Sequence, residues 1–95
     1  MNANSPSVNP AVVRDSANHK SKLRWQCRRG MRELDVLLLN YLERRFDAAP
    51  ALEQRIFEQL LELPDPELFG YVTGRQIPAD PAIQDLVHRL IAPED

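Results

Sequence analysis

The sequence predicts an all-α protein, a compact five-helix bundle behind a disordered N-terminal tail. Three observations carry this. Apolar residues recur at three- and four-residue spacings from about residue 18 onward, no segment alternates with the period of two that a half-buried strand needs, and Gly, Pro and Asp-Pro signals separate the stripes. Ninety-five residues support one domain with a modest core. The expected division is a flexible tail over 1–17 and a single helical domain over 18–95.

Residues 1–17 are rich in Asn, Ser and Pro and hold no sustained apolar period; the run Ala11-Val12-Val13 is too short to build an element. Helix 1 is expected from Asn18 or His19 to Cys27 or Arg28, with Leu23 and Cys27 four apart and Trp25 on a neighbouring face. It is short and mostly polar, so its order depends on docking Leu23, Trp25 or Cys27 against other helices. Gly30 then ends it, because glycine enters left-handed backbone conformations without a Cβ clash.

Helix 2 is expected over Met31 to Phe46. Leu34, Leu37, Leu38, Tyr41, Leu42 and Phe46 fall at helical spacings, and Val36 and Leu39 widen the band beyond one flat contact, which marks this as the central helix. Pro50 fits the first turn of helix 3, with Glu53 following and a stripe of Leu52, Ile56, Leu60 and Leu63 that Phe57 and Leu61 widen. Asp65-Pro66 and Asp80-Pro81 repeat one device, an aspartate that caps the N–H groups of the next turn and a proline preset for its first position. Helix 4 should run from Pro66 to Thr73 and stop at Gly74. Helix 5, from Pro81 to Ile91, carries Ile83, Leu86, Val87, Leu90 and Ile91 on one side and His88 on the other.

Net charge is only -2, but it is unevenly spread: residues 1–32 sum to +6 and residues 33–95 to -8. Such polarity suits a partner with an acidic region, and equally an ordinary solvated face. The longest apolar run, Val36 to Leu39, is far below the roughly 20 residues that span a bilayer, so no membrane insertion is expected. The N-terminus lacks the pattern of a secretory signal, and the single Cys27 allows no internal disulfide; both agree with a cytoplasmic protein.

Enzyme signatures are missing. The chain has no G-x-x-x-x-G-K-[ST], no G-x-G-x-x-G after a strand, no H-E-x-x-H and no credible triad, so no catalytic residues are expected. One cysteine and two histidines do not make a metal site. His19 and Cys27 are too far apart for direct proton transfer, since eight helical residues separate them by ~12 Å. Cys27 reads as a small buried apolar residue instead.

The informative stretch is Arg28-Arg29-Gly30-Met31-Arg32-Glu33, where a helix-helix corner coincides with three arginines and a glutamate in a first helical turn. It reads as a capped, solvated turn or as a binding surface. A small nucleic-acid-binding helical protein is the alternative that the arginines suggest, but the sequence pI of 5.6 argues against nucleic acid as a partner.

Trp25-Gln26-Cys27-Arg28-Arg29-Gly30-Met31-Arg32-Glu33-Leu34-Asp35 resembles the signature of the bacterial FAD assembly factor of succinate dehydrogenase, the SdhE family, whose hallmark is R-G-x-x-E. Arg29, Gly30 and Glu33 fall on its fixed positions. The resemblance continues through Arg55-Ile56-Phe57, Leu60-Leu61-Glu62, Asp65-Pro66-Glu67-Leu68-Phe69 and Pro78-Ala79-Asp80, and so covers about Lys22 to Ile91. Where family members often carry tryptophan after the Asp-Pro segment, this chain has Tyr71, preceded by Gly70.

The resemblance implies an assembly factor rather than an enzyme. It would bind the flavoprotein subunit of succinate dehydrogenase, and that of fumarate reductase, and promote covalent attachment of FAD to a histidine of the partner. FAD would then be attached to the partner, with no cofactor stably bound by this chain, which would act as a monomer. The implied partner-binding residues are Arg28, Arg29, Gly30, Arg32, Glu33, Asp65 and Tyr71: Arg29 through charge-assisted contacts, Gly30 through close backbone approach, Glu33 by bonding the partner or fixing Arg29 or Arg32. Relatives described as antitoxin-like inner-membrane partners add a further alternative.

Overall fold

The computed structural model describes residues 10–92, with side chains from residue 18 onward. Five helices follow in order: α1 Pro10–Gln26, α2 Arg32–Arg44, α3 Ala51–Leu61, α4 Asp65–Val72 and α5 Pro81–Ile91, with no strand among the described residues. The all-α, five-helix expectation is met. Helix α1 begins at Pro10, well before the expected Asn18 or His19, so residues 10–17, expected in the tail, are helical backbone. Proline suits that start because its fixed φ and missing N–H cost nothing in a first turn. The tail expected over residues 1–9 lies outside the described residues.

Leu34, Leu38, Tyr41 and Leu42 make the buried face of α2, Ile56, Phe57, Leu60 and Leu61 that of α3, and Leu86, Val87 and Leu90 that of α5. These faces meet in one core, which Leu23 and Cys27 close from α1 and Leu68 from α4. The Phe57 ring packs between Tyr41, at a centroid distance of 4.7 Å, and Phe46 at 5.7 Å. Phe46 stays buried although α2 ends two residues earlier, since its N–H and that of Arg45 both donate to the Tyr41 carbonyl. Helix α1 lies antiparallel to α2, as the pairing of Arg24 with Glu43 and of Lys20 with Asp47 shows. His19 reaches Glu58 of α3 at 2.8 Å.

Several sequence expectations shift here. Trp25 is 75% exposed and Leu52 63%, so of the three residues expected to dock α1 it is Leu23 and Cys27 that are buried, and the buried stripe of α3 starts at Ile56. Val36 is exposed as well. Pro50 is the N-cap of α3 rather than its first residue. Asp80 caps α5 as expected, accepting from the Ala82 N–H at 2.9 Å. Asp65 does not cap α4: Pro64 holds the N-cap position and no side chain caps that end. The Asp65 carboxylate is used elsewhere. Helix α4 stops at Thr73, and Gly74 turns away with φ 79.

Candidate functional site

The site begins with the backbone at the α1–α2 corner. Gly30 has φ 81, in the left-handed region that side-chain-bearing residues rarely adopt, and its neighbour Met31 is extended at φ -116, ψ 111 as the N-cap of α2. A Cβ on Gly30 would meet nothing within 4 Å among the described residues. The glycine is therefore required by backbone conformation and not by crowding within the chain. Its exposed backbone faces outward.

Arg29 turns the other way. Its side chain is only 12% exposed. Nε donates to Asp65 Oδ1 at 2.8 Å, Nη1 to the carbonyls of Gln26 at 2.9 Å and Leu61 at 2.8 Å, and Nη2 to the carbonyl of Leu63. Gln26 and Leu61 are the last residues of α1 and α3, whose terminal carbonyls lack intrahelical partners and carry the negative end of the helix dipole. A planar guanidinium with five N–H donors satisfies these acceptors at once. In this structure the charge-assisted contacts of Arg29 are made inside the chain. Asp65, at the start of α4, is the anionic end of that tie and keeps 41% of its side chain exposed.

Arg28, Arg32 and Glu33 project into solvent, and among the described residues none of their side chains has a hydrogen-bond or ion-pair partner. Glu33 lies in the first turn of α2, where the dipole favours a carboxylate, but it makes no cap bond and fixes neither Arg29 nor Arg32. Arg32 and Glu33, with exposed Val36 and half-buried Leu37, line an open depression of about 680 Å³. The exposed end of α2 thus offers opposite charges beside apolar surface.

Tyr71 is half-buried on α4, and its hydroxyl donates to Glu67 Oε2 at 3.1 Å. That bond, with partial burial, raises the phenol above its ordinary range. No described hydrogen bond joins Tyr71 to the Gly30 corner. Gly70, before it, is a close-approach position: the Gln76 side chain lies against it, and a Cβ would meet Gln76 Oε1 at 3.0 Å.

Cys27 is fully buried, and its thiol is pushed up to about 12, chiefly by loss of solvent. It is not a nucleophile at neutral pH. No group of three or more His, Cys, Asp or Glu among the described residues is placed to hold a metal ion. No described helix is long and apolar enough to cross a membrane.

One residue of the site went unread in the sequence. Asp35 accepts the backbone N–H of Arg29 at 2.8 Å on Oδ1 and that of Gly30 at 3.3 Å on Oδ2. A carboxylate five residues past a turn glycine was the available signal.

Comparison with known proteins gives consistent results. Residues 21–93 match the family model described as flavinator of succinate dehydrogenase. The chain is 39% identical over 77 residues to the FAD assembly factor SdhE of Photobacterium profundum, a match covering 81% of this chain and 88% of that protein. It is 39% identical over 69 residues to the protein of the same description from Coxiella burnetii, covering 73% and 84%. A Vibrio parahaemolyticus FAD assembly factor SdhE is 51% identical over 55 residues, covering 58% and 64%.

Proposed function

The chain belongs to the family of flavinators of succinate dehydrogenase, and from that premise we propose that it binds the flavoprotein subunit of succinate dehydrogenase and promotes covalent attachment of FAD to it. The observation that carries this reading is the Gly30 corner. There a left-handed glycine, exposed Arg28 and Arg32 and exposed Glu33 stand together, and the three charged side chains have no hydrogen-bond or ion-pair partner among the described residues. Charged groups without a partner in the described chain are available for contacts across an interface, where they set orientation and encounter rate.

The parts divide by direction. Arg28, Arg32 and Glu33 meet the partner, with Val36 and Leu37 as apolar surface beside them; Gly30 lets the two backbones approach; Arg29 and Asp65 hold the corner from behind. Tyr71 contributes the ring area it leaves exposed. FAD is the partner's cofactor, and the bond joins a histidine of the partner to the flavin, so this chain supplies no reacting group. Its work is positioning: it holds the flavoprotein so that histidine and flavin stay in reactive geometry. In this reading the factor is a cytoplasmic monomer without an active site, and it serves the flavoprotein subunit of fumarate reductase in the same way.

The test is flavin fluorescence of the denatured flavoprotein subunit, produced with and without this protein. Covalent flavin should rise in its presence, and equal fluorescence in both preparations would refute the reading.

A further inference from the structure

Two successive backbone N–H groups, those of Arg29 and Gly30, converge on the single Asp35 carboxylate, at 2.8 and 3.3 Å. Neither N–H donates to a backbone carbonyl, so this carboxylate is what they bind among the described residues. Asp35 is itself held in place. Its own N–H donates to the Met31 carbonyl at 2.8 Å as the first backbone bond of α2, and its side chain is half-buried. The pairing therefore joins a fixed helical residue to the most permissive residue of the turn. Glycine loses more conformational freedom on ordering than any other residue, and an unrestrained Gly30 would visit many conformations besides φ 81. Arg29 cannot hold this turn through its side chain alone, because its guanidinium ties the helix ends behind the turn and not the Gly30 backbone.

We propose that Asp35 is a positioning residue for partner binding: by accepting the Arg29 and Gly30 N–H groups it fixes the left-handed turn and so presents Arg28, Arg32 and Glu33 in one arrangement before the partner arrives. The proposal rests on the reading of the Gly30 corner as the docking surface. Its energetic basis is preorganisation, since a surface ordered in advance does not pay for that order on binding. Asp35 need not touch the partner.

The experiment compares wild type with Asp35→Ala, Asp35→Asn and Glu33→Ala, measuring affinity for the flavoprotein subunit and amide hydrogen exchange of the free protein. In Asp35→Ala the Arg29 and Gly30 amides should exchange about tenfold faster, the scale of one charge-assisted hydrogen bond, while those of Leu38 and Tyr41 in the middle of α2 keep their wild-type rates. Affinity should fall by about tenfold. Asp35→Asn retains one acceptor oxygen and should lie between the two. A merely stabilising role for Asp35 would instead accelerate exchange throughout α2. Wild-type affinity in Asp35→Ala, alongside weakened binding in Glu33→Ala, would overturn the proposal and leave the docking surface standing. Wild-type affinity in both would overturn the docking surface and the proposal together. If Asp35→Ala does not fold, Asp35→Asn decides: faster Gly30 exchange with unchanged affinity refutes the role, and a matching loss of affinity supports it.

Discussion

Arg29 Nε lies 2.8 Å from Oδ1 of Asp65, across the gap between the α1–α2 corner and the first residue of α4. The pair completes a polar tie in which one guanidinium also meets the carbonyls of Gln26, Leu61 and Leu63. Arg29 thus joins the ends of three helices, while its neighbour Gly30 is exposed.

Arg29→Ala should be destabilising by about 2 to 4 kcal/mol, because it leaves several partly buried acceptors without donors. Arg29→Lys should recover little of this, since an ammonium cannot reproduce the planar fork. Asp65→Asn should cost under about 1 kcal/mol, as the carboxylate is partly exposed and the arginine keeps its carbonyl partners. Urea denaturation midpoints of the three variants check the ranking.

The core separates two leucines that the sequence had treated alike. Leu38 is fully buried and Leu52 is 63% exposed. Leu38→Ala should cost about 2 to 5 kcal/mol through lost burial and a residual cavity, whereas Leu52→Ala should stay within about 0.5 kcal/mol of wild type. Thermal or chemical denaturation of both proteins makes the comparison.

These leucines also show what was legible. Apolar periodicity located helices α2 to α5 and nearly all of their buried faces, because a helix buries a stripe and the stripe is written at three- and four-residue spacing. Periodicity does not record where a neighbouring helix ends, so Leu52 fell on the stripe of its helix and still faces water, as do Val36 and Trp25 beside theirs. The Gly30 turn could be read because few residues other than glycine tolerate φ 81. The inward aim of Arg29 could not, since its partners are chiefly carbonyls at the ends of other elements, which any residue supplies. Asp65 looked like a cap because Asp-Pro so often is one; the guanidinium of Arg29 claims it instead.

Burial of Cys27 gives a pH dependence. Its thiol ordinarily ionises near 9.0 and in the fold is pushed up to about 12, mainly by desolvation, with Arg29 opposing the shift. A folded-state value above the unfolded one means that the contribution to stability is complete below pH 9.0 and is lost as pH rises toward about 12. Tyr41 is shifted in the same direction, by burial first and then by its hydrogen bond to Glu53. Wild type should therefore lose stability between about pH 8 and pH 11, and Cys27→Ala should lose less over the same interval, because it keeps the Tyr41 contribution and lacks that of the thiol. Denaturation midpoints at the two ends of the interval check this; equal losses would contradict the assignment to Cys27.

Gly30 and Glu33 should separate folding from binding. Any side chain at Gly30 must accept φ 81, which costs an L-residue about 1 to 2 kcal/mol. Because a Cβ there meets no atom within 4 Å among the described residues, Gly30→Ala and Gly30→Arg should be destabilised alike. They should differ at the proposed interface, where alanine adds one methyl group and arginine would fill the space that the proposed docking leaves for the partner backbone. Covalent FAD incorporation should fall partly in Gly30→Ala and nearly completely in Gly30→Arg. Glu33 is exposed and has no hydrogen-bond or ion-pair partner among the described residues, so Glu33→Ala should forfeit only the ~0.3 to 1 kcal/mol of a favourable dipole interaction. If Glu33 docks as proposed, its carboxylate meets a cation or an N–H of the flavoprotein, and leaving that group buried and unpaired would cost about 1 to 3 kcal/mol, or about 5- to 150-fold in Kd. Stability by denaturation, affinity for the flavoprotein subunit and covalent flavin per subunit, measured on the same preparations, decide the matter. Full binding and full flavin incorporation by Glu33→Ala would leave Glu33 with its place in the helix dipole and no part in docking.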